Sequence, residues 1–453
     1  MNKLPFFLPL ILTGCFMVGP DYRRPDLALP AAFGEPGVAS SAVEVPQRWW
    51  TLYGDATLDE LVRTGLERNA DVRQASARVE EAESAFREAR ATLYFPLVTG
   101  NAGASRGRTI QLGTQNTFTL GAATSFEIDL WGRLRRAEYS VRDQLLASRY
   151  GRDTVALTLA ATIARTYFAA RSLDSQYIAS EEILRAANES LALARRRAEG
   201  GVATGLDVYQ AGAQQAAAAA QAKEIARQRA AIVHLLGTLT GRLDLTLPPT
   251  NLDSLPVPPL PPAGLPSQLL ERRPDVRQAE AALSAATQLI GVAKAAQFPA
   301  LSLTGSLGVQ SSELDSLFTP GAKVWSLGLG LLGPIIDSGR YAARTEQAQA
   351  RARQAEAGYQ RAVETAFREV ADALSNVRLA ADSEGDLRVR VEQARGALRL
   401  AQRRYESGYS AYLEVLDAQR TLNDAQLAFI RNRQAYLSFS VDLMNALGGG
   451  WAA

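Results

Sequence analysis

The chain has 453 residues, with 49 basic and 47 acidic side chains, one His and one Cys. Balanced charge leaves no footprint for nucleic acid. One His and one Cys exclude most metal-ligand sets, most nucleophile–base pairs and any intrachain disulfide, so neither an enzyme nor a metal or cofactor carrier is expected. No run reaches the ~18 apolar residues of a transmembrane helix, but barrel strands cross a membrane with about 9–11 alternating residues.

Lys3 precedes a short apolar stretch, Leu4 to Leu12, that ends Leu12-Thr13-Gly14-Cys15. A basic start, an apolar core and small residues before a cleavage point form an export signal, here residues 1–14. The only cysteine directly follows Thr13-Gly14, which resembles a bacterial lipobox. That resemblance implies cleavage before Cys15 and lipid attachment to it; the alternative is an ordinary signal with an incidental cysteine. Phe16, rather than Asp, comes next, which in such lipoproteins implies delivery to the outer membrane. Residues 15–60 are then a lipid-anchored segment, extended from Val18 to about Gln47, where Pro, Ala and Val occur without periodicity.

The body is written twice. Leu66-Glu67-Arg68-Asn69-Ala70-Asp71-Val72-Arg73-Gln74-Ala75 returns as Leu270-Glu271-Arg272-Arg273-Pro274-Asp275-Val276-Arg277-Gln278-Ala279. Phe95-Pro96 returns as Phe298-Pro299, and Arg197-Ala198-Glu199-Gly200-Gly201 as Arg404-Tyr405-Glu406-Ser407-Gly408. The displacement of about 205 residues is too long for a solenoid. Two repeats, 61–246 and 267–447, are therefore expected, joined by a Pro-rich linker over 247–266 and followed by a tail, 448–453.

Each repeat reads in one order. A shorter helix comes first, Asp71 to about Tyr94 or Asp275 to about Gln297, and a β-hairpin follows, 96–128 or 299–334. A long helix, 131–199 or 339–406, then turns tightly into a return helix, 206–239 or 413–447. Neither long segment contains proline, and each would be roughly 100 Å long as one helix. Val363, Phe367, Val370, Leu374, Val377 and Ala381 recur at alternating threes and fours, as do Ala156, Ala160, Ile163, Tyr167 and Ala170. That rhythm belongs to helices coiling around neighbours. The second return helix carries a seam of Leu422, Ala425, Phe429, Tyr436, Phe439 and Leu443. His234, among Ile232, Val233, Leu235 and Leu236, reads as a packed residue. A short and a return helix together nearly match one long helix and could run alongside it, stacked end to end.

The hairpins alternate with period two. Leu301, Leu303, Leu307 and Val309 are separated by Ser and Thr or Gly, and Trp325, Leu327, Leu329 and Leu331 by Ser and Gly. Phe118, Leu120, Ala122 and Phe126 behave likewise, while Leu97 to Ser105 alternates more weakly. A soluble half-buried sheet alternates in the same way. A nearly uncharged polar face, and hairpins that interrupt helices already packed, favour lipid. Four strands cannot close a barrel, since about eight are needed. Subunits would have to pool them, and three subunits are the fewest that leave a lumen.

At this point the chain resembles the outer-membrane efflux factors, the TolC-like family, in the lipoprotein branch that serves tripartite drug pumps. The resemblance rests on Gly19-Pro20-Asp21-Tyr22 with Arg24-Pro25, Trp49-Trp50, Arg273-Pro274-Asp275-Val276, Phe298-Pro299, Leu416-Asp417-Ala418-Gln419-Arg420 and the ending Ala446-Leu447-Gly448-Gly449-Gly450-Trp451. It implies an α+β membrane protein acting as a homotrimer: a twelve-stranded barrel in outer-membrane lipid, four strands per subunit, continued by a helical tunnel. Loops around Arg106 to Gln115 and Ser311 to Lys323 would face outside. It further implies a passive exit duct for small molecules, with a periplasmic adaptor and an inner-membrane RND-type transporter as partners. The competing reading is a coiled-coil structural or adhesive lipoprotein without a through-pore, which leaves the four alternating strands unexplained.

The family places a gate where the helix pairs turn, at Gly200 to Gly205 and Ser407 to Ala411. Leu413 and Asp417 match its constricting positions, with Arg420 as a candidate ion-pair partner between helices and Asp207 as a weaker candidate. The same turns would meet the adaptor through Arg197, Glu199, Gly201, Arg404, Glu406 and Gly408, unless these residues only build the turn.

Overall fold

The computed structural model describes residues 17–30, 33, 46–110, 113–252, 255–258 and 269–449; the export signal, Cys15 and residues 450–453 lie outside them. A 3-10 turn at Trp49–Tyr53 leads into α1 (Ala56–Arg68) and α2 (Ala70–Tyr94). Strands β1 (Leu97–Thr109) and β2 (Gly113–Ile128) follow, then α3 (Arg133–Glu199) and α4 (Gly205–Thr240). After the short α5 (Leu269–Arg272) comes a second set: α6 (Pro274–Ala295), β3 (Ala300–Ser311), β4 (Lys323–Leu332), α7 (Arg340–Glu406) and α8 (Tyr412–Ala446). Each long helix runs 67 residues unbroken.

The compact units cut across the sequence repeats. One takes the described residues within Met1–Leu27, Ala77–Tyr150 and Gln278–Arg361; the other takes those within Ala28–Ser76, Gly151–Arg277 and Ala362–Ala453. Segments of both repeats contribute to each unit.

The first unit contains the sheet. Its four antiparallel strands are ordered β1-β2-β3-β4, so the two hairpins merge through β2 and β3, and the far sides of β1 and β4 are edges. Register fixes the faces. Leu120, Val309 and Lys323 share a rung, as do Ala122, Leu307 and Trp325, and Phe126, Leu303 and Leu329. Directly paired residues point the same way, so one face is almost wholly apolar. The opposite face carries Ser, Thr and Gly, with Ser306 and Ser326 hydrogen-bonded across strands at 2.8 Å. Gly121 and Gly308 are paired on that face, and a Cβ at Gly308 would lie 2.5 Å from the Leu120 carbonyl oxygen. Only glycine lets the strands from the two repeats approach this closely.

Both long helices start on the same device. The Asp129 carboxylate accepts from the Leu134 and Arg135 amides at 3.2 and 3.0 Å. Asp337 accepts from Gly339 and Tyr341 at 3.2 and 2.9 Å, and these amides, Tyr341 foremost, hold its carboxyl below the usual range. In the same unit the strap Val18–Arg24 lies along α6. Arg136, 2% exposed, reaches Asp21 at 2.8 Å and Gln288 at 2.7 Å, and Arg24 forms a two-pronged pair with Glu280. Gly19 meets Gly291 so closely that a Cβ would sit 2.5 Å from the Gly291 Cα.

The second unit is held by a core of Trp49, Tyr53, Leu58, Tyr167, Phe168, Leu236 and Leu437. The Tyr53 hydroxyl and Ser440 share a hydrogen bond of 2.6 Å, and Tyr167 donates to Asp55, the N-cap of α1. Among Ala156, Ala160, Ile163, Tyr167 and Ala170, all but the half-buried Ala156 are buried.

Three sequence expectations need correction. The described start of the Pro-rich linker is no free tether: Leu247, Leu252 and Leu255 are buried in the core. There Arg171 and Arg229, both paired with buried Asp174, donate to the Pro248 and Leu247 carbonyls at 2.7 Å. His234 is exposed rather than packed, because Val233 and Leu236 take the buried stripe of α4. The α8 seam drifts by one residue: Phe429, Tyr436 and Phe439 are half-buried, and Ile430, Leu437, Val441 and Met444 carry the core. A 3.6-residue helix loses a strict 3.5 register over this length.

Gly308→Val should force β2 and β3 apart, at about 1–3 kcal/mol for an overpacked site. Heating the purified protein and following oligomer dissociation by gel mobility should show a lowered midpoint. Gly100→Ala, where a Cβ meets nothing within 4 Å, should leave it unchanged.

Candidate gate and docking site at the helix turns

The long helices of the two repeats end in matching reversals. After α3, Gly201 takes φ +75°, and the Val202 and Ala203 amides close back on the Arg197 carbonyl at 2.9 and 3.2 Å. After α7, Gly408 takes φ +78°, and the Tyr409 amide closes on the Arg404 carbonyl at 2.8 Å. Left-handed glycine after the last helical turn is a common way to satisfy terminal carbonyls. A Cβ at either glycine would find open space, so the backbone conformation rather than crowding requires glycine.

The helices that leave the turns start differently. Thr204 caps α4 through a reciprocal box: its hydroxyl accepts from the Asp207 amide, and Asp207 accepts from the Thr204 amide at 2.9 Å. Ala411 stands at the corresponding place before α8 and offers no side-chain cap. Glu414, the counterpart of Asp207, instead pairs with Arg404 at 3.5 Å. Asp207 is thus engaged in capping its own helix.

The repeated arginines part company too. Arg197 donates to the Tyr405 and Glu406 carbonyls at 2.8 and 3.1 Å, and its guanidinium lies 4.7 Å from the centre of the Tyr405 ring. It satisfies the last carbonyls of α7 and places positive charge at the negative end of that helix. Among the described residues Arg404 makes only the exposed pair with Glu414. Beneath both turns, Ala194, Ala211, Ala401, Tyr405, Tyr412 and Leu416 pack into a small core. Burial, followed by the charge of Asp207, pushes the Tyr405 phenol above its usual range. Arg197, a repeated residue, therefore joins the two turns within one subunit, whereas Glu199, Glu406, Gly201 and Gly408 are exposed.

The first turns of α8 have two faces. Tyr412, Val415, Leu416 and Gln419 are buried, while Leu413, Asp417 and Arg420 are exposed. Leu413 is 59% exposed. Among the described residues, the Asp417 and Arg420 side chains have no hydrogen-bond or ion-pair partner and do not pair with each other. The structure brings these three residues onto one open face at the turn. Sequence reading missed the other exposed apolar side chains there: Val202, Leu206, Tyr209 and Tyr409. One signal was available, since Leu206 stands in the first repeat where Leu413 stands in the second. Among the described residues no group of His, Cys, Asp and Glu is gathered as a metal ion would need.

A model of the family described as "Outer membrane efflux protein" matches residues 61–242 and 265–449, one match per repeat. The solvent efflux pump outer membrane protein SrpC of Pseudomonas putida is 34% identical over 470 aligned positions, covering all of this chain and 98% of SrpC. The cation efflux system protein CusC of Escherichia coli is 33% identical, covering 99% of this chain and 98% of CusC. Among solved structures, the outer-membrane channel OprN superposes with a TM-score of 0.89 at 32% identity, covering 96% of this chain and 99% of that one.

Arg197→Ala should expose the carbonyls that end α7. Hydrogen exchange at the amides of that last turn should rise about tenfold, as loss of a charge-assisted bond implies. Arg404→Ala should leave it unchanged, since exposed pairs contribute little.

Proposed function

We propose how the duct is closed and where it docks, from the premise that this chain belongs to the outer membrane efflux protein family. It is an outer-membrane exit duct of a tripartite efflux system: a trimeric channel in which subunits combine their strands into one barrel and their helices into a tunnel. Its relatives are transport channels and not enzymes. Lipid attachment at Cys15 is part of our reading, supported by the sequence that precedes it.

Leu413 and Asp417 form the gate. The observation that carries this assignment is the open face of α8, where an exposed leucine and an unpartnered carboxylate stand one helical turn apart. Three copies around an axis set three leucines and three carboxylates at one constriction. The leucine ring resists wetting, and the carboxylate ring favours cations over anions. Arg420, one turn further on the same face, reaches an acidic group of the neighbouring subunit and holds the closed form.

The turns also meet the periplasmic adaptor, and the inner-membrane RND-type transporter supplies the energy. Arg404, Glu406, Glu199 and the glycines present the exposed repeated surface, while Arg197 acts from behind by fixing the two turns together. Cargo is small and is chosen upstream. The relatives' names speak of solvents, toluene and cations, and the polar face of this sheet, largely Ser, Thr and Gly, offers little to discriminate among them.

Single-channel recording in planar bilayers tests the gate. Wild-type trimers should pass small currents that prefer cations, and Leu413→Ala/Asp417→Ala should raise conductance several-fold and weaken that preference. Large wild-type currents left unchanged by the double substitution would place the constriction elsewhere.

A further inference from the structure

The outward face of the sheet ends in a pair of arginines that the duct function does not use. On β1 the residues that share the apolar face are Val98, Gly100, Ala102 and Ala104, followed by Arg106 and Arg108. Arg106 is paired with Asn116 and Arg108 with Thr114, so register leaves no doubt about their side. Both ends of the hairpin that join helices lie away from them, and the β1–β2 turn lies beside them. They are therefore at the exterior end of the strand.

Height places them at the membrane boundary. Eight residues separate Val98 from Arg106, about 27 Å along a strand, or about 20 Å of height at a barrel tilt near 40°. Arg108 stands about 5 Å higher by the same geometry. The apolar band of a membrane barrel is about 25 Å tall, so both guanidiniums emerge where acyl chains give way to headgroups. From Leu97 to Phe126 the sequence contains no acidic residue, and these two arginines are its only charges. Neither has a partner among the described residues. The acids of the other exterior connection, Glu313 and Asp315, pair with neither of them. On β4, Lys323 ends the same apolar face two positions beyond Trp325.

We propose that Arg106 and Arg108 bind the phosphate groups of the anionic glycolipid in the outer leaflet of the outer membrane. A guanidinium presents a planar fork of donors that matches phosphate oxygens. Two of them, about 7 Å apart on one strand face, can hold two phosphates or clamp one. Their aliphatic stems continue the apolar surface, while the charged ends reach the headgroup layer. Because β1 is an edge strand, the site sits at the seam between subunits. The proposal rests on the barrel's apolar face meeting lipid.

Native mass spectrometry of the full-length trimer in detergent tests this, with three probes: bisphosphorylated lipid A, its dephosphorylated form and phosphatidylethanolamine. Wild type should retain up to three lipid A molecules per trimer, in preference to the dephosphorylated form. Arg106→Gln/Arg108→Gln should lower lipid A retention about tenfold, the scale of a lost charge-assisted contact, and leave phosphatidylethanolamine adducts unchanged. Arg106→Lys/Arg108→Lys keeps the charge without the fork and should fall between; it also serves if the Gln variant fails to assemble. Equal retention by wild type and variants, or equal binding of both lipid A forms, overturns the site. Absence of every lipid from wild-type trimers would instead contradict the lipid-facing assignment beneath it.

Discussion

The rest of the structure depends on two strand edges. In one subunit, β1 and β4 flank the sheet and pair on one side only, leaving a row of backbone amides and carbonyls on the other. In water such an edge is tolerable; in lipid each unsatisfied group costs several kcal/mol. A single subunit is therefore incomplete as a membrane object, and closure by neighbours is a requirement of its chemistry. The apolar face makes the requirement strict. Trp325, Leu327, Leu329 and Leu331 are all largely exposed in the isolated chain, and they lie on the edge strand itself.

Duplication supplies the parts, and the two copies differ in detail. The aspartates before α3 and α7 do identical work, as do the left-handed glycines after them. At the turns the copies diverge. Thr204 with Asp207 makes a self-contained cap, whereas Ala411 leaves α8 uncapped and Glu414 turns to Arg404. Arg197 reaches across to the second repeat, and its copy does not reach back. The first turn is thus tied to the second through Arg197, while the second keeps only the exposed pair between Arg404 and Glu414 among the described residues.

Much of this was legible in the sequence, and the residues show why. The order of helices and strands followed from proline-free stretches and period-two alternation, which local chemistry dictates. Merger of the hairpins through β2 and β3 was not legible, since Gly121 and Gly308 look like ordinary strand glycines until their pairing is known. The exposed face of Leu413 and Asp417 came from family resemblance, as a helix of alternating buried and exposed residues does not announce which exposed residue faces an axis. His234 was misjudged because its neighbours in sequence are apolar, while Ala230, Ala231 and Thr238, its neighbours on the helix surface, are all exposed. The buried Asp174 with its two arginines escaped notice because a proline-rich run suggests a tether, and only tertiary packing shows its leucines inside.

Disulfide trapping between β1 and β4 tests most directly whether subunits complete one another. Asn101→Cys would be combined in turn with Ser326→Cys, Gly328→Cys and Gly330→Cys, all on the polar face, with the wild type and parents carrying one introduced cysteine as controls. Within one subunit two strands intervene, about 14 Å, beyond the ~7 Å limit for a disulfide. The account predicts that at least one combination oxidises to a ladder ending at the trimer. No intersubunit product from any combination, or a ladder continuing past three, would contradict it.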